Sequence, residues 1–281
     1  MGRGAMNASA SIFGCNTYAY MMSERAATTI ARLADVGFQE FELMVHPGHL
    51  WPSDLSTEQR AAFRSQIEQR GLQLTALNLP NIDINIASTV PEVRRYSVGL
   101  LAETVRLAGD LGARGVIMSP GKTSALFPTS EDVLTGHFFD ALNRLAPIAA
   151  IAGTALWLEN VPTTWIPTIR GLVASLERYG NVAVRIIYDI ANAHFIAEDF
   201  AEGLKTCRQR LELVHLSDTG RNLFRHDAVG LGTVPFAQVP EALAAVGYTA
   251  RPMLEIISRD ADRDVLASAE KLAAMGFAHA A

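Results

Sequence analysis

Six times along the chain, a segment that suits a helix runs into a glycine and then into a short block of apolar and β-branched residues. The blocks are "VGFQEFELM", "RGLQLTALN", "LGARGVIMS", "AGTALWLEN", "YGNVAVRIIYD" and "VGYTARPMLEI". Glycine just past a helix suits a left-handed cap, where a Cβ is strained. Gly37, Gly71, Gly112, Gly153, Gly180 and Gly247 therefore mark helix-to-strand junctions. Within 97–111, Leu100, Leu107 and Leu111, flanked by Leu101, Val105 and Ala108, recur at helical spacing. Residues 57–70, 131–152 and 265–275 are further helix-compatible stretches. The interval after Gly180 has room for two units and holds the strand-like "RLELVHLSD"; an opening strand at 11–15 brings the count to eight.

Eight strand–helix alternations within one compositional regime predict a single-domain α/β fold, a (β/α)8 TIM barrel, over residues 11–281. Residues 1–10 read as an N-terminal tail or expression remnant. A doubly wound open sheet is the competing arrangement, and no glycine-rich dinucleotide fingerprint supports it.

In such a barrel the strand C-termini meet at one face. From the second strand onward the polar residues ending the strands are Glu42, Asn78, Ser119, Glu159, Asp189, His215 and Glu255. Side chains alternate along a strand, so Glu159 shares its inward face with Trp157, Asp189 with Ile187, His215 with Leu213 and Glu255 with Met253. Three carboxylates and an imidazole thus converge, and without a counter-charge the carboxylates repel and take up protons. A divalent cation removes that conflict. A mixed oxygen and nitrogen set suits Mn²⁺, Co²⁺, Mg²⁺ or Zn²⁺, and the absence of cysteine argues against a purely structural zinc.

Composition narrows the partners. The 281 residues are 49% hydrophobic and carry 24 basic and 29 acidic side chains, a net −5. No basic run exceeds Arg94-Arg95, which argues against a nucleic-acid or anionic-membrane partner. Cys15 and Cys207 lie far apart and fit neither a zinc spacing nor a disulfide framework, as in a reducing compartment. "MGRGAMNASASIFG" lacks a signal-peptide core, and no run reaches the roughly 18 apolar residues of a membrane helix. A cytoplasmic protein is the expectation.

The motifs "LEN", "YDIANAH", "HLSDTGR", "HDAVGLGTVPF" and "LEI" resemble those of the xylose isomerase-like barrel superfamily. That superfamily includes ketose 3-epimerases, hydroxypyruvate isomerase, inosose isomerases and dehydratases, dehydroshikimate dehydratase and endonuclease IV-type nucleases. The resemblance implies one catalytic divalent metal, Mn²⁺ foremost, on Glu159, Asp189, His215 and Glu255, with Glu159 and Glu255 also moving protons. It implies an isomerase or epimerase acting on a keto sugar or polyol ketone through an enediolate, with a dehydratase on a cyclic polyol ketone or keto acid as the alternative. It also implies substrate contact by Arg221, and homodimers or homotetramers.

The chain departs from the ketose-epimerase pattern at Asn192, where those enzymes carry a histidine, with His194 two residues on, and at Trp165, where they carry a second glutamate. A three-zinc nuclease needs histidines where this chain has Asn78, Ser119 and Asn192. A non-catalytic sugar-binding barrel is the remaining reading. Further candidates for substrate contact are Glu42, Asn78, Asn192, His194 and Trp165. His46, His49, Lys122 and His226, all in predicted loops at the active face, are candidate acids. Trp51, Trp165 and Phe127 are expected to wall the ligand. Few cations stand out in the last loops, which favours an unphosphorylated substrate.

Overall fold

Each predicted apolar block forms a strand in the computed structural model, which describes residues 7–278. The strands are β1 (Gly14–Asn16), β2 (Glu40–Met44), β3 (Gln73–Asn78), β4 (Gly115–Met118), β5 (Ala155–Glu159), β6 (Arg185–Asp189), β7 (Leu211–Leu216) and β8 (Met253–Leu254). They pair in parallel in chain order, and β8 closes on β1. The connecting helices are α1 (Ala26–Asp35), α2 (Thr57–Gln69), α3 (Pro91–Leu111), α4 (Glu131–Ala152), α5 (Ile169–Tyr179), α6 (Ile190–Phe195), α7 (Phe200–Cys207), α8 (Val239–Ala245) and α9 (Ala261–Ala274). The fold is the single-domain (β/α)8 TIM barrel that the alternation predicts.

All six junction glycines have positive φ, and Gly112 and Gly153 cap α3 and α4 in the left-handed conformation. In α3, Leu101, Val105, Leu107, Ala108 and Leu111 are buried against the strands while Leu100 is partly covered. Each fully buried leucine contributes on the order of 1.5–3 kcal/mol relative to exposure.

Inside the ring, Ala76, Ile117, Trp157, Ile187, Leu213 and Met253 form their own packed layer. Trp157 pairs with Ile117 on β4, and its ring fits because it lies over Gly115, where a Cβ would be 2.3 Å from the indole. The residue two places after each member of this layer faces the same interior one step nearer the strand C-termini. Those residues are Asn78, Ser119, Glu159, Asp189, His215 and Glu255.

The opening strand differs from expectation. Ala10–Ile12 wind into a 3₁₀ turn and the strand is Gly14–Asn16, so its polar end is Asn16. Of the residues assigned to the tail, Asn7 donates its backbone N–H to Val36 and its side-chain amide to Glu270, and Ala10 is fully buried. Residues 1–6 lie outside the described residues. Among the described residues, no helix is long and apolar enough to cross a membrane.

Candidate metal centre

Glu159, Asp189, His215 and Glu255 lie on or just beyond the consecutive strands β5 to β8, and one ligand atom from each falls within 4.8 Å of all the others. His215 Nδ1 faces the carboxylates, 3.1 Å from Glu255 Oε2 and 3.9 Å from both Glu159 Oε1 and Asp189 Oδ2. Its other nitrogen, Nε2, donates to Glu42 Oε2 at 2.7 Å. Glu42 is wholly buried, and its Oε1 accepts from Asn16 Nδ2 at 2.6 Å and Asn78 Nδ2 at 2.8 Å. A carboxylate behind a histidine fixes the ring's tautomer and leaves the far nitrogen free to ligate.

Asp189 is held by its neighbours. Asn160 brackets its main chain, accepting from Asp189 N at 2.8 Å and donating to Asp189 O at 3.0 Å. Its Oδ1 accepts from Asn192 N at 2.7 Å, whereas the buried Oδ2 has no hydrogen-bond partner. Buried polar atoms without partners are rare and costly, and a cation among these four donors satisfies this one. Three carboxylates and one imidazole fit a divalent ion with mixed oxygen and nitrogen ligands.

The electrostatics show the same strain. Burial, with the charge of Glu255 beside it, holds the Glu159 carboxyl well above the usual range. Burial raises Asp189 to about 6 against the pull of the His226 charge. Glu255 resists its own burial because His215 and His226 hold it ionised, below the usual range. His215, in turn, is raised despite burial by Glu42 and Glu255, and His226 rises to about 9 through Glu255. The acids and the two imidazoles thus favour each other's charge, and the pocket favours positive charge at its centre.

The cluster opens into a cleft of about 180 Å³ at the strand C-termini. Of the residues expected at the site, Glu159, Glu255, His226, Asn78 and Asn192 line it. His226 Nδ1 lies 3.3 Å from Glu255 Oε2 and 3.0 Å from Ser217 Oγ. Tyr18, Met44, Pro80, Asn81, Ile82, Val161, Thr163 and Phe224 complete the lining.

Among known protein families, the one described as xylose isomerase-like TIM barrel matches residues 30–276. The chain belongs to that family. An L-ribulose 3-epimerase from Mesorhizobium japonicum is 27% identical over 226 residues, 78% of this chain and 71% of the other. A D-tagatose 3-epimerase-like protein has a structure that superposes with a TM-score of 0.80 at 22% identity, over 94% of this chain and 96% of that one. A 3-keto-D-glucoside 4-epimerase from E. coli superposes with a TM-score of 0.77 at 21% identity, over 93% and 98% respectively.

Several residues expected to contact substrate in this xylose isomerase-like barrel are placed elsewhere. Glu42 is a partner of His215, with both its oxygens engaged. His49 is a buried brace: Nδ1 donates to Glu24 O at 2.5 Å and Nε2 meets the Thr17 hydroxyl at 2.9 Å. His46 turns its Nδ1 to Pro47 O at 2.9 Å and lies off the cleft. Trp165 donates Nε1 to Pro120 O at 2.8 Å and sets its ring against Phe138. Arg221 and His194 face a separate groove of about 610 Å³ bordered by α7 and α8, where His194 Nε2 meets the Thr233 hydroxyl at 2.9 Å. Lys122 Nζ donates to the carbonyls of Asn81 and Ile82 rather than entering the cleft.

None of Trp51, Trp165 and Phe127, expected to wall the ligand, lines the cleft, and Phe127 is 87% exposed. Ile82, Val161 and Phe224 take that place. Sequence reasoning missed Asn16 through the misplaced first strand. Asn160, which brackets Asp189, stands directly beyond the strand-end acid in "LEN", and a polar residue in that place is its signal in the sequence.

Proposed function

We propose that this protein is a divalent-metal-dependent epimerase of a small, unphosphorylated keto sugar, with Glu159 and Glu255 as its two proton-transfer groups. The observation that carries the reading is the arc of four donors on β5 to β8: the two glutamates stand at its ends, and both line the same cleft. Support also comes from the L-ribulose 3-epimerase at 27% identity and the sugar-epimerase folds. The cleft has the scale of a monosaccharide, well below the 300–1,000 Å³ of drug-sized pockets. Neither lysine nor arginine lines it.

Glu159, Asp189, His215 and Glu255 would hold the ion, with Mn²⁺ the first metal to try. When bound, a divalent ion supplies Lewis acidity that makes the C–H beside a carbonyl easier to deprotonate. The chain supplies the rest. Glu255, whose carboxylate lies beside both His215 and His226, is the base, and Glu159 is the acid. One proton between two carboxylates is what epimerisation needs, since a proton leaves one face of the carbon and another returns to the opposite face. Asn192 Nδ2 donates to Glu159 Oε1 at 3.1 Å and orients it. Ile82, Val161 and Phe224 give the cleft its apolar lining.

The test is incubation of Mn²⁺-loaded protein with L-ribulose, D-tagatose and D-fructose in deuterated water. A new epimer carrying one solvent deuterium at the inverted carbon is expected. Glu159→Gln and Glu255→Gln should each lower kcat by about 10²–10⁴-fold with the fold intact by circular dichroism. Full turnover in either variant refutes the two-base scheme, and loss of water from the substrate would mark a lyase instead.

A further inference from the structure

Two side chains on the cleft carry a buried polar group that meets nothing in the protein. Asn192 is 2% exposed and commits its Nδ2 to Glu159, which leaves its Oδ1 without a donor. Asn81, in the loop after β3, lines the same cleft, and its Nδ2 has no acceptor. Folded proteins leave few such groups, so each orphan calls for a partner. One lacks a donor and the other an acceptor. A hydroxyl is both, so the hydroxyls of a sugar can satisfy the two orphans. A carboxylate or phosphate only accepts, and would leave Asn192 Oδ1 unmet.

The wall carrying Asn81 is held firmly. Lys122 Nζ donates to Asn81 O at 2.9 Å and to Ile82 O at 3.1 Å. The Lys122 main chain is gripped in turn by the Asn85 side chain, which accepts from Lys122 N at 2.8 Å and donates to Lys122 O at 2.9 Å. The preceding Gly121, at φ +100°, lets the two loops pack so closely that a Cβ there would lie 2.6 Å from Ala87 Cβ. An ammonium spent on two backbone carbonyls fixes where the Asn81 amide stands.

We propose that Asn81 and Asn192 form a two-amide reader for the hydroxyls of the substrate, and that Lys122 positions the wall that carries Asn81. The ligand class rests on the sugar-epimerase reading above. Because Asn192 also orients Glu159, a hydroxyl of the right configuration and a correctly aimed acid are linked through one side chain.

The experiment compares Mn²⁺-loaded wild type with Asn81→Ala, Asn81→Asp and Lys122→Met. Calorimetry measures binding of L-ribulose and the unreactive polyol xylitol, and deuterium incorporation from solvent gives kcat and KM. Asn81→Ala should weaken binding at least about fivefold, the worth of one neutral hydrogen bond, with KM rising more than kcat falls and metal content unchanged. Asn81→Asp, which keeps the shape and removes the donor, should weaken it likewise, and Lys122→Met should give the same pattern in smaller measure. Binding and KM within twofold of wild type in both Asn81 variants overturn the reader while leaving the epimerase reading intact. Weakened binding in variants of a protein whose wild type exchanges no deuterium supports the reader and overturns the epimerase. A wild type that binds neither probe overturns both.

Discussion

The imidazole of His215 is held on both edges, by Glu42 at Nε2 and by the carboxylate cluster at Nδ1. Glu42→Gln should therefore lower divalent-metal affinity by roughly 10–100-fold, read by competition with a metal-sensitive dye; unchanged affinity would mean that the ring needs no carboxylate behind it. The acids predict a pH dependence. A carboxylate raised to about 6, as at Asp189, or well above its usual range, as at Glu159, must lose its proton before it ligates. Metal affinity should rise as pH increases through about 6, with protons released on binding, measurable by calorimetry in buffers of different ionisation enthalpy. Binding without proton release would contradict the assigned protonation. The four strand-end donors were legible because a strand's period of two fixes which residues face inward. Glu42 was legible as a strand end and misread in role, since its partner lies 173 positions away across the ring. The backbone partners of His49 and Lys122 were not legible for a similar reason: loop geometry decides whether a polar tip meets a ligand or a backbone carbonyl.

At the level of elements, the glycine punctuation carried most of the fold. Junctions at Gly37, Gly71, Gly112, Gly153, Gly180 and Gly247 all adopt the backbone that their chemistry suits. Strand glycines are a different matter. Gly115 lies inside β4, and the indole of Trp157 over it explains the residue. Gly115→Ala should destabilise the protein by about 1–3 kcal/mol in denaturant titration, through overpacking of the inner layer; an unchanged midpoint would show that Trp157 can shift at little cost. Between β6 and β7 the chain makes two short helices, α6 and α7, instead of one, separated at Ala197, whose φ of +62° breaks the helical run. No glycine or proline announces that break. The first strand was misplaced because apolar Ile12 and Phe13 belong to a turn and its approach rather than to a paired strand.

For the whole molecule, a metal that binds only the folded barrel adds stability by mass action. Mn²⁺ at about 100 times its dissociation constant should add about 2.7 kcal/mol. The melting temperature should rise by several degrees in wild type and stay put in Asp189→Ala; an equal rise in both would place the ion elsewhere. The four donors all belong to β5 to β8, while Glu42 and the two asparagines that hold it come from β1 to β3. The Glu42–His215 contact therefore spans the two halves of the ring like a clasp. Whatever loosens the first half would slacken the grip on a bound ion, and by thermodynamic reciprocity a bound ion would tighten the first half. Amide exchange in β2 should slow when metal is added, although β2 contributes no ligand.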